Sequence, residues 1–268
     1  MTFNKILMVA QPRSGTNFFI RKFAQDRCLS VLNEPFNNGG PILGGSNLLL
    51  DEPRVISFLT GKDVSRECMI DKFRMLVTKD TFKPQAVGVL MKIFPEHNVG
   101  LLDDIPLKFP EMKYLIIERR NKLAQYISYK HAMKSKVWRV KADADQEVLG
   151  YQDIKIKISL DEFEKFSHTS VAFFERYKSL LNKLHRAYSV SYYEDFTAST
   201  EVIDDLARKF KVSASIKRPH DDTKKLNKPL SHYIENVSEL ERIFEMYGEG
   251  TEEIYSNCLS RLTPPERR

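Results

Sequence analysis

The sequence predicts an α/β fold, a parallel sheet flanked by helices on both faces, and three observations predict it. A short apolar run, Ile6–Ala10, breaks at Gln11–Gly15 and leads into the helically spaced Phe18–Phe23. Two further apolar runs, Val87–Ile93 and Tyr114–Ile117, are continuous rather than alternating, which suits strands buried on both faces. Helical patterns separate these strands, and strands joined through helices pair in parallel.

The first junction, Gln11-Pro12-Arg13-Ser14-Gly15-Thr16-Asn17-Phe18, has the makings of an anion cradle. N–H groups at a helix start lack intrahelical partners, and the helix dipole adds about half a positive charge there. Gly15 permits close backbone approach, Ser14 and Thr16 offer hydroxyl donors, and Arg13 supplies a permanent forked cation. A nucleotide kinase or NTPase is the obvious reading, but a Walker A loop requires GxxxxGK followed by Ser or Thr. Here no Lys follows Gly15, and the cation precedes the glycine.

The elements follow in chain order. Asn37–Pro53, with Gly39-Gly40-Pro41 and Gly44-Gly45-Ser46, reads as irregular. Val64–Val77 fits a helix with Met69, Phe73, Leu76 and Val77 on one face, and Ala86–Phe94 fits a strand with Lys92 near its end. Phe94-Pro95-Glu96-His97 then reads as a loop. After the Tyr114–Ile117 strand come Glu118-Arg119-Arg120-Asn121-Lys122 and a helix over Leu123–Tyr129. Arg120 at the strand end and Ser128 about two turns along the helix can converge on one phosphate, Arg as a fork and Ser as a neutral donor. Lys134–Gln152 is charged with little periodicity and reads as a flexible acceptor-side lid. Asp161–Tyr188 is the longest helical pattern, built on Phe163, Phe166, Phe173, Phe174, Tyr177, Leu180, Leu181 and Leu184. Ser189-Val190-Ser191-Tyr192-Tyr193-Glu194-Asp195-Phe196 reads as a strand with a polar break, and Thr200–Phe210 as an amphipathic helix. Lys217–Lys228 is a basic, breaker-rich run.

The junctions at Pro12–Phe18 and Arg120–Ser128, together with the Tyr-Tyr-Glu-Asp string, resemble the signatures of the sulfotransferases that use 3'-phosphoadenosine 5'-phosphosulfate (PAPS). Asn33-Glu34-Pro35-Phe36 and Lys136-Val137-Trp138-Arg139 narrow the resemblance to bacterial carbohydrate sulfotransferases, the group of the trehalose and nodulation-factor enzymes. The resemblance implies a P-loop-like sulfotransferase fold and transfer of a sulfuryl group from PAPS to a carbohydrate or glycolipid hydroxyl, releasing PAP. It implies that Pro12, Arg13, Ser14, Gly15, Thr16, Asn17 and Phe18 hold the phosphosulfate. By the same likeness Arg120 and Ser128 hold the 3'-phosphate, Tyr193 contacts the adenine, and Lys224 and Lys225 belong to a late covering loop, although the family's Arg-Lys-Gly string is missing there. Lys122 stands where the family commonly has Pro, whose part is to ease the helix start.

Sulfuryl transfer resembles phosphoryl transfer, an in-line displacement with charge spread over the moving oxygens. Cations clamping those oxygens remove the need for a metal, so Arg13 is the natural stabiliser and Lys92 a second. Two candidates stand for the general base. Glu34 lies where the related bacterial enzymes place a carboxylate-bearing segment, though their second, downstream Glu is replaced here by Phe36-Asn37-Asn38. His97 follows its strand as a catalytic His does in other sulfotransferases, and imidazole suits proton abstraction near neutral pH. A small-molecule kinase and a non-catalytic nucleotide-binding relative are the alternative readings.

Composition is compatible. The 268 residues suffice for one substantial core and read as a single domain over 1–268. The net charge of +6 suits a phosphorylated, sulfated ligand, while no arginine-rich helix, zinc spacing or RNP string points to nucleic acid. Three widely spaced cysteines, Cys28, Cys68 and Cys258, favour a reducing cytoplasm, and no apolar run has membrane-spanning length.

Overall fold

The computed structural model describes residues 3–37, 40–43, 48–61, 65–138, 153–199, 201–211 and 230–261. Five strands form one parallel sheet: β1 (Asn4–Ala10), β2 (Leu29–Leu32), β3 (Gly88–Ile93), β4 (Lys113–Glu118) and β5 (Tyr188–Tyr192), in the order β2-β3-β1-β4-β5. Lys92 of β3 is in register with Met8 of β1, so the ends of both strands reach the turn after β1 together.

Between and after the strands lie α1 (Thr16–Phe23), α2 (Glu52–Leu59), α3 (Arg66–Val77), α4 (Pro95–Lys108), α5 (Lys122–Ser135), α6 (Leu160–Lys183), α7 (Tyr193–Ala198), α8 (Glu201–Phe210), α9 (Val237–Tyr247) and α10 (Thr251–Ser260). The chain forms two compact units, Met1–Glu118 with Tyr177–Pro219, and Arg119–Arg176 with His220–Arg268.

In the first unit, Ile6, Met8, Ala10, Leu90, Leu115 and Ile117 turn one sheet face toward Phe19 and Phe23 of α1, Phe196 of α7, and Ile203, Leu206 and Phe210 of α8. The alternate residues Leu7, Val9, Met91, Tyr114 and Ile116 are equally buried, with Tyr177 of α6 edge-on to Tyr114. Burial on both faces is why these runs carry no alternation. In the second unit, Leu123, Tyr126 and Ile127 of α5 pack with Phe163 and Val171 of α6, Leu240, Ile243 and Tyr247 of α9, and Ile254 and Cys258 of α10. Asn236 fastens the chain at Ile158, accepting from its N–H and donating to its carbonyl.

Several boundaries differ from the sequence reading. Asn37–Pro53 is not wholly irregular, because Asp51 caps α2 by accepting from the Arg54 N–H, and Pro53 sits in its first turn. Pro95 likewise begins α4, so His97 stands on a helix and not in a loop. That helix kinks at Asn98, whose side-chain amide donates to the Phe94 carbonyl. The long helix ends at Lys183, and Tyr188 already belongs to β5. The polar break after β5 is the short helix α7. Residues 139–152 of the expected lid and the run Lys217–Lys228, with Lys224 and Lys225, lie outside the described residues. No described helix is long and apolar enough to cross a membrane.

An open cleft of about 970 Å³ lies at the opposite end of the sheet from the β1–α1 turn. It is lined by Asn4, Lys5, Cys28, Val87 and Lys113, which stand at the strands' beginnings. Ligands of parallel α/β sheets sit at the carboxyl ends of the strands, which is where the chemistry-bearing side chains of this unit gather.

Candidate active site

The turn between β1 and α1 is shaped for an anion. Arg13 and Gly15 both have left-handed backbone, with φ of 66° and 71°. For arginine that conformation is unfavourable, and such outliers persist where the surroundings enforce them, commonly at ligand sites. The Gly15 carbonyl accepts from the Phe18 N–H at 3.0 Å and the helix starts at Thr16, where the first N–H groups of a helix have no intrahelical partner and suit an anion. Ser14 and Thr16 are buried, and the buried Gln11 Oε1 has no hydrogen-bond partner among the described residues. Pro12 is buried, and Asn17 and Phe18 are half-buried. A phosphosulfate group fits this set of donors.

Tyr193 closes over the turn. A Cβ on Gly15 would lie 2.2 Å from Tyr193 Cδ2, so the tyrosine ring occupies the space that a side chain would need. The ring also packs edge-on against Phe196. Tyr193 thus sits on the predicted loop, at the start of α7.

Lys92 and Glu34 meet beside α1. Lys92 Nζ, 1 % exposed, lies 2.8 Å from Glu34 Oε1, 3.4 Å from Thr16 Oγ1 and 3.3 Å from Asn17 Oδ1. It also stands 4.6 Å over the Phe94 ring. Burial pushes the Lys92 ammonium below its ordinary pKa, and the charge and hydrogen bond of Glu34 oppose that push. Glu34 is delivered by β2, which pairs with β3 and ends two residues earlier. Three predicted residues, Glu34, Lys92 and Thr16, are therefore in one cluster at the strands' carboxyl ends. The backbone of His97 lies in the first turn of α4, and its side chain is outside the described residues.

The second unit presents Arg120 and Ser128. Arg120 precedes α5 by two residues, its carbonyl accepting from the Lys122 N–H at 2.7 Å, and Ser128 is buried on the helix. Arg120 Nε lies 3.5 Å from Glu252 Oε1, a carboxylate that is 72 % exposed and so free to yield to a stronger anion. Asn121 caps α5 by accepting from the Ala124 N–H at 2.8 Å, while its amide donates to Thr251 Oγ1 at 3.2 Å. Lys122 does more than ease a helix start. It is fully buried, donates to Ser170 Oγ at 3.0 Å and lies over the rings of Phe174 and Tyr255. Glu162 accepts from both Tyr126 and Lys130, which steadies the helix around Ser128.

Sequence reasoning missed Asn37, Glu252 and the burial of Lys122. Glu252 gave no signal, being 132 residues from its partner Arg120. Asn37 did give one, because Glu34-Pro35-Phe36-Asn37 has Pro at the second position of a four-residue turn.

A parallel sheet whose first strand feeds a glycine turn and a helix, with a lysine and a glutamate beside it, is an α/β arrangement with the chemistry to hold a phosphate-like group. The family model described as Stf0 sulphotransferase matches residues 83–156, which include Lys92, Arg120 and Ser128. No curated protein matches the chain. Eleven chains of solved structures match. One, the crystal structure of a sulfotransferase from Alicyclobacillus acidocaldarius, shares 15 % identity over 98 % of this chain and 95 % of its own, with a TM-score of 0.49.

Proposed function

We propose that this chain is a sulfotransferase that uses PAPS and transfers the sulfuryl group to a hydroxyl of a carbohydrate or glycolipid acceptor, without a metal, by in-line displacement. The observation that carries the reading is the Lys92–Glu34 pair, 2.8 Å apart, with the lysine 3.4 Å from Thr16 Oγ1 at the head of the anion-shaped turn. Bound PAPS supplies a sulfuryl group on a phosphate leaving group. Arg13 and Lys92 stabilise the charge that develops as the acceptor oxygen–sulfur bond forms and the sulfur–phosphate oxygen bond breaks. Glu34 takes the acceptor proton, and a carboxylate has about four acceptor sites, so its two present donors leave room for it. Glu34 is preferred to His97 because it already touches Lys92.

Arg120 and Ser128 hold the 3'-phosphate, and Tyr193, seated on Gly15, contacts the base. Lys224 and Lys225 add positive charge for the nucleotide's phosphates. Residues 1–268 act as one sulfotransferase domain, with β4 of the first unit running directly into Arg119 and Arg120 of the second. Free thiols at Cys28, Cys68 and Cys258 support a cytoplasmic setting.

Transfer of labelled sulfate from PAPS to a panel of sugars, glycolipids and phenols tests the activity and the acceptor class. Calorimetry with PAP tests the nucleotide residues. Arg120→Ala should weaken PAP binding by about 10- to 100-fold and Ser128→Ala by about 3- to 10-fold, the charge-assisted bonds costing more. Both variants should bind adenosine 5'-phosphosulfate as the unaltered protein does. Equal affinity of the unaltered protein for nucleotides with and without the 3'-phosphate would remove Arg120 and Ser128 from the site.

A further inference from the structure

Glu34 has two oxygens, and the structure divides them between two donors. Oε1 is held by Lys92 at 2.8 Å, while Oε2 accepts from the Asn37 side-chain amide at 2.6 Å. Asn37 comes within reach because Glu34–Asn37 is a tight turn closed by the Asn37 N–H on the Glu34 carbonyl at 3.3 Å. Pro35 supplies the turn's fixed φ, and Phe36 anchors it, buried and stacked on Phe73 of α3. On its other side, Glu34 exchanges backbone hydrogen bonds with Ile42 at 2.7 and 2.9 Å. The main chain of Glu34 is thus fixed without the Asn37 amide. What remains to fix is the rotation of the carboxylate, and that is what Asn37 Nδ2 does.

We propose that Asn37 is a positioning residue for the Lys92–Glu34 pair: by holding Glu34 Oε2 it keeps Oε1 on the lysine at the head of the β1–α1 turn. The inference rests on the reading of Lys92 as the cation that acts on the sulfuryl donor. Of the groups around Lys92, Thr16 and Asn17 on α1 and Phe94 beyond β3 carry no charge, and the charge acting on it among the described residues is that of Glu34. Burial favours the neutral amine, so the ammonium depends on where Glu34 Oε1 sits. A freely rotating carboxylate would spend part of its time elsewhere, and Lys92 would lose its proton at a lower pH.

The test uses Asn37→Ala and Asn37→Leu, the second keeping the bulk without the donor. Both should fold, because the turn has its own backbone bond, its proline and its buried phenylalanine. In protein labelled with 13C-lysine, with the Lys92 signal assigned through Lys92→Arg, Lys92 should titrate about one pH unit lower in both variants, the equivalent of one such hydrogen bond. In transfer assays the alkaline limb of kcat should move in the same direction, with kcat down about tenfold and the KM for PAPS nearly unchanged. Lys92 titrating as in the unaltered protein would overturn the inference, whether or not any transfer is found. A shifted Lys92 titration alongside full transfer by Glu34→Gln would sustain the role of Asn37 and instead remove Glu34 as the base.

Discussion

Gly15 carries two independent demands. Its φ of 71° is one that an L side chain adopts with strain, and a Cβ there would lie 2.2 and 2.5 Å from two ring carbons of Tyr193. Gly15→Ala should therefore destabilise the protein by about 2–4 kcal/mol, the sum of the left-handed conformation and local overpacking. The two causes separate in a double-mutant cycle. Tyr193→Ala removes the clash but not the strain, so in its background Gly15→Ala should cost only about 1–2 kcal/mol. Urea denaturation of the four proteins measures this. A Gly15→Ala effect that is the same with and without the tyrosine ring would show that Tyr193 yields freely, and that the turn's shape does not depend on it. The glycine was legible in the sequence as a residue needed for close approach. What closes over it was not, because Tyr193 lies 178 positions away and nothing local in either segment names the other.

At the scale of elements, what was legible and what was not follows from length and periodicity. The runs Ile6–Ala10 and Tyr114–Ile117 announced β1 and β4 because five or four successive apolar residues fit a strand buried on both faces. Leu29-Ser30-Val31-Leu32 did not announce β2, since four residues with a serine among them support neither period, and the strand exists because β3 pairs with it. α4 was hidden by Pro95 at its start and Pro106 within it. α9 could have been found, for Val237, Leu240, Ile243, Phe244 and Tyr247 have helical spacing. Helix α5 was found, but the reason for its start was not. In the sequence Asn121 stands out only through a likeness, whereas the structure shows it capping the helix and bonding Thr251 of α10. Asn121→Ala should lower stability by about 1–2 kcal/mol through loss of the cap and of the second bond. Asn121→Asp keeps the cap and adds a charge that the helix N-terminus favours, so it should cost under about 1 kcal/mol. Urea midpoints in which Asp is as damaging as Ala would show that the bond to Thr251, and not the cap, is what the residue contributes.

For the molecule as a whole, the buried Lys92–Glu34 pair sets function against stability. The two residues were legible as separate candidates, one at a strand end and one after the first helix. Their pairing was not, because it arises from the order in which β2 and β3 lie side by side. An ammonium that is 1 % exposed loses its hydration, and a single carboxylate returns only part of what water gave. Glu34→Gln leaves that ammonium buried without its counter-charge and should cost about 3 kcal/mol at neutral pH. Lys92→Met combined with Glu34→Gln removes both charges at little change in volume, and should leave the protein more stable than the unaltered chain by about 1–3 kcal/mol, with transfer abolished. The pH dependence has a definite sign. Burial depresses the folded-state pKa of Lys92 below its unfolded value of about 10.4, so between the two values the unfolded chain binds more protons and stability from this group rises with pH. Losing Glu34 depresses the folded value further. The deficit of Glu34→Gln should accordingly be largest near neutral pH and shrink as pH rises toward about 10, while that of the double variant relative to Lys92→Met shows no such trend. Urea titrations at a series of pH values measure each term. A Glu34→Gln deficit that stays constant with rising pH would mean that Lys92 is not the group left stranded, and that the glutamate stabilises the fold through its turn alone.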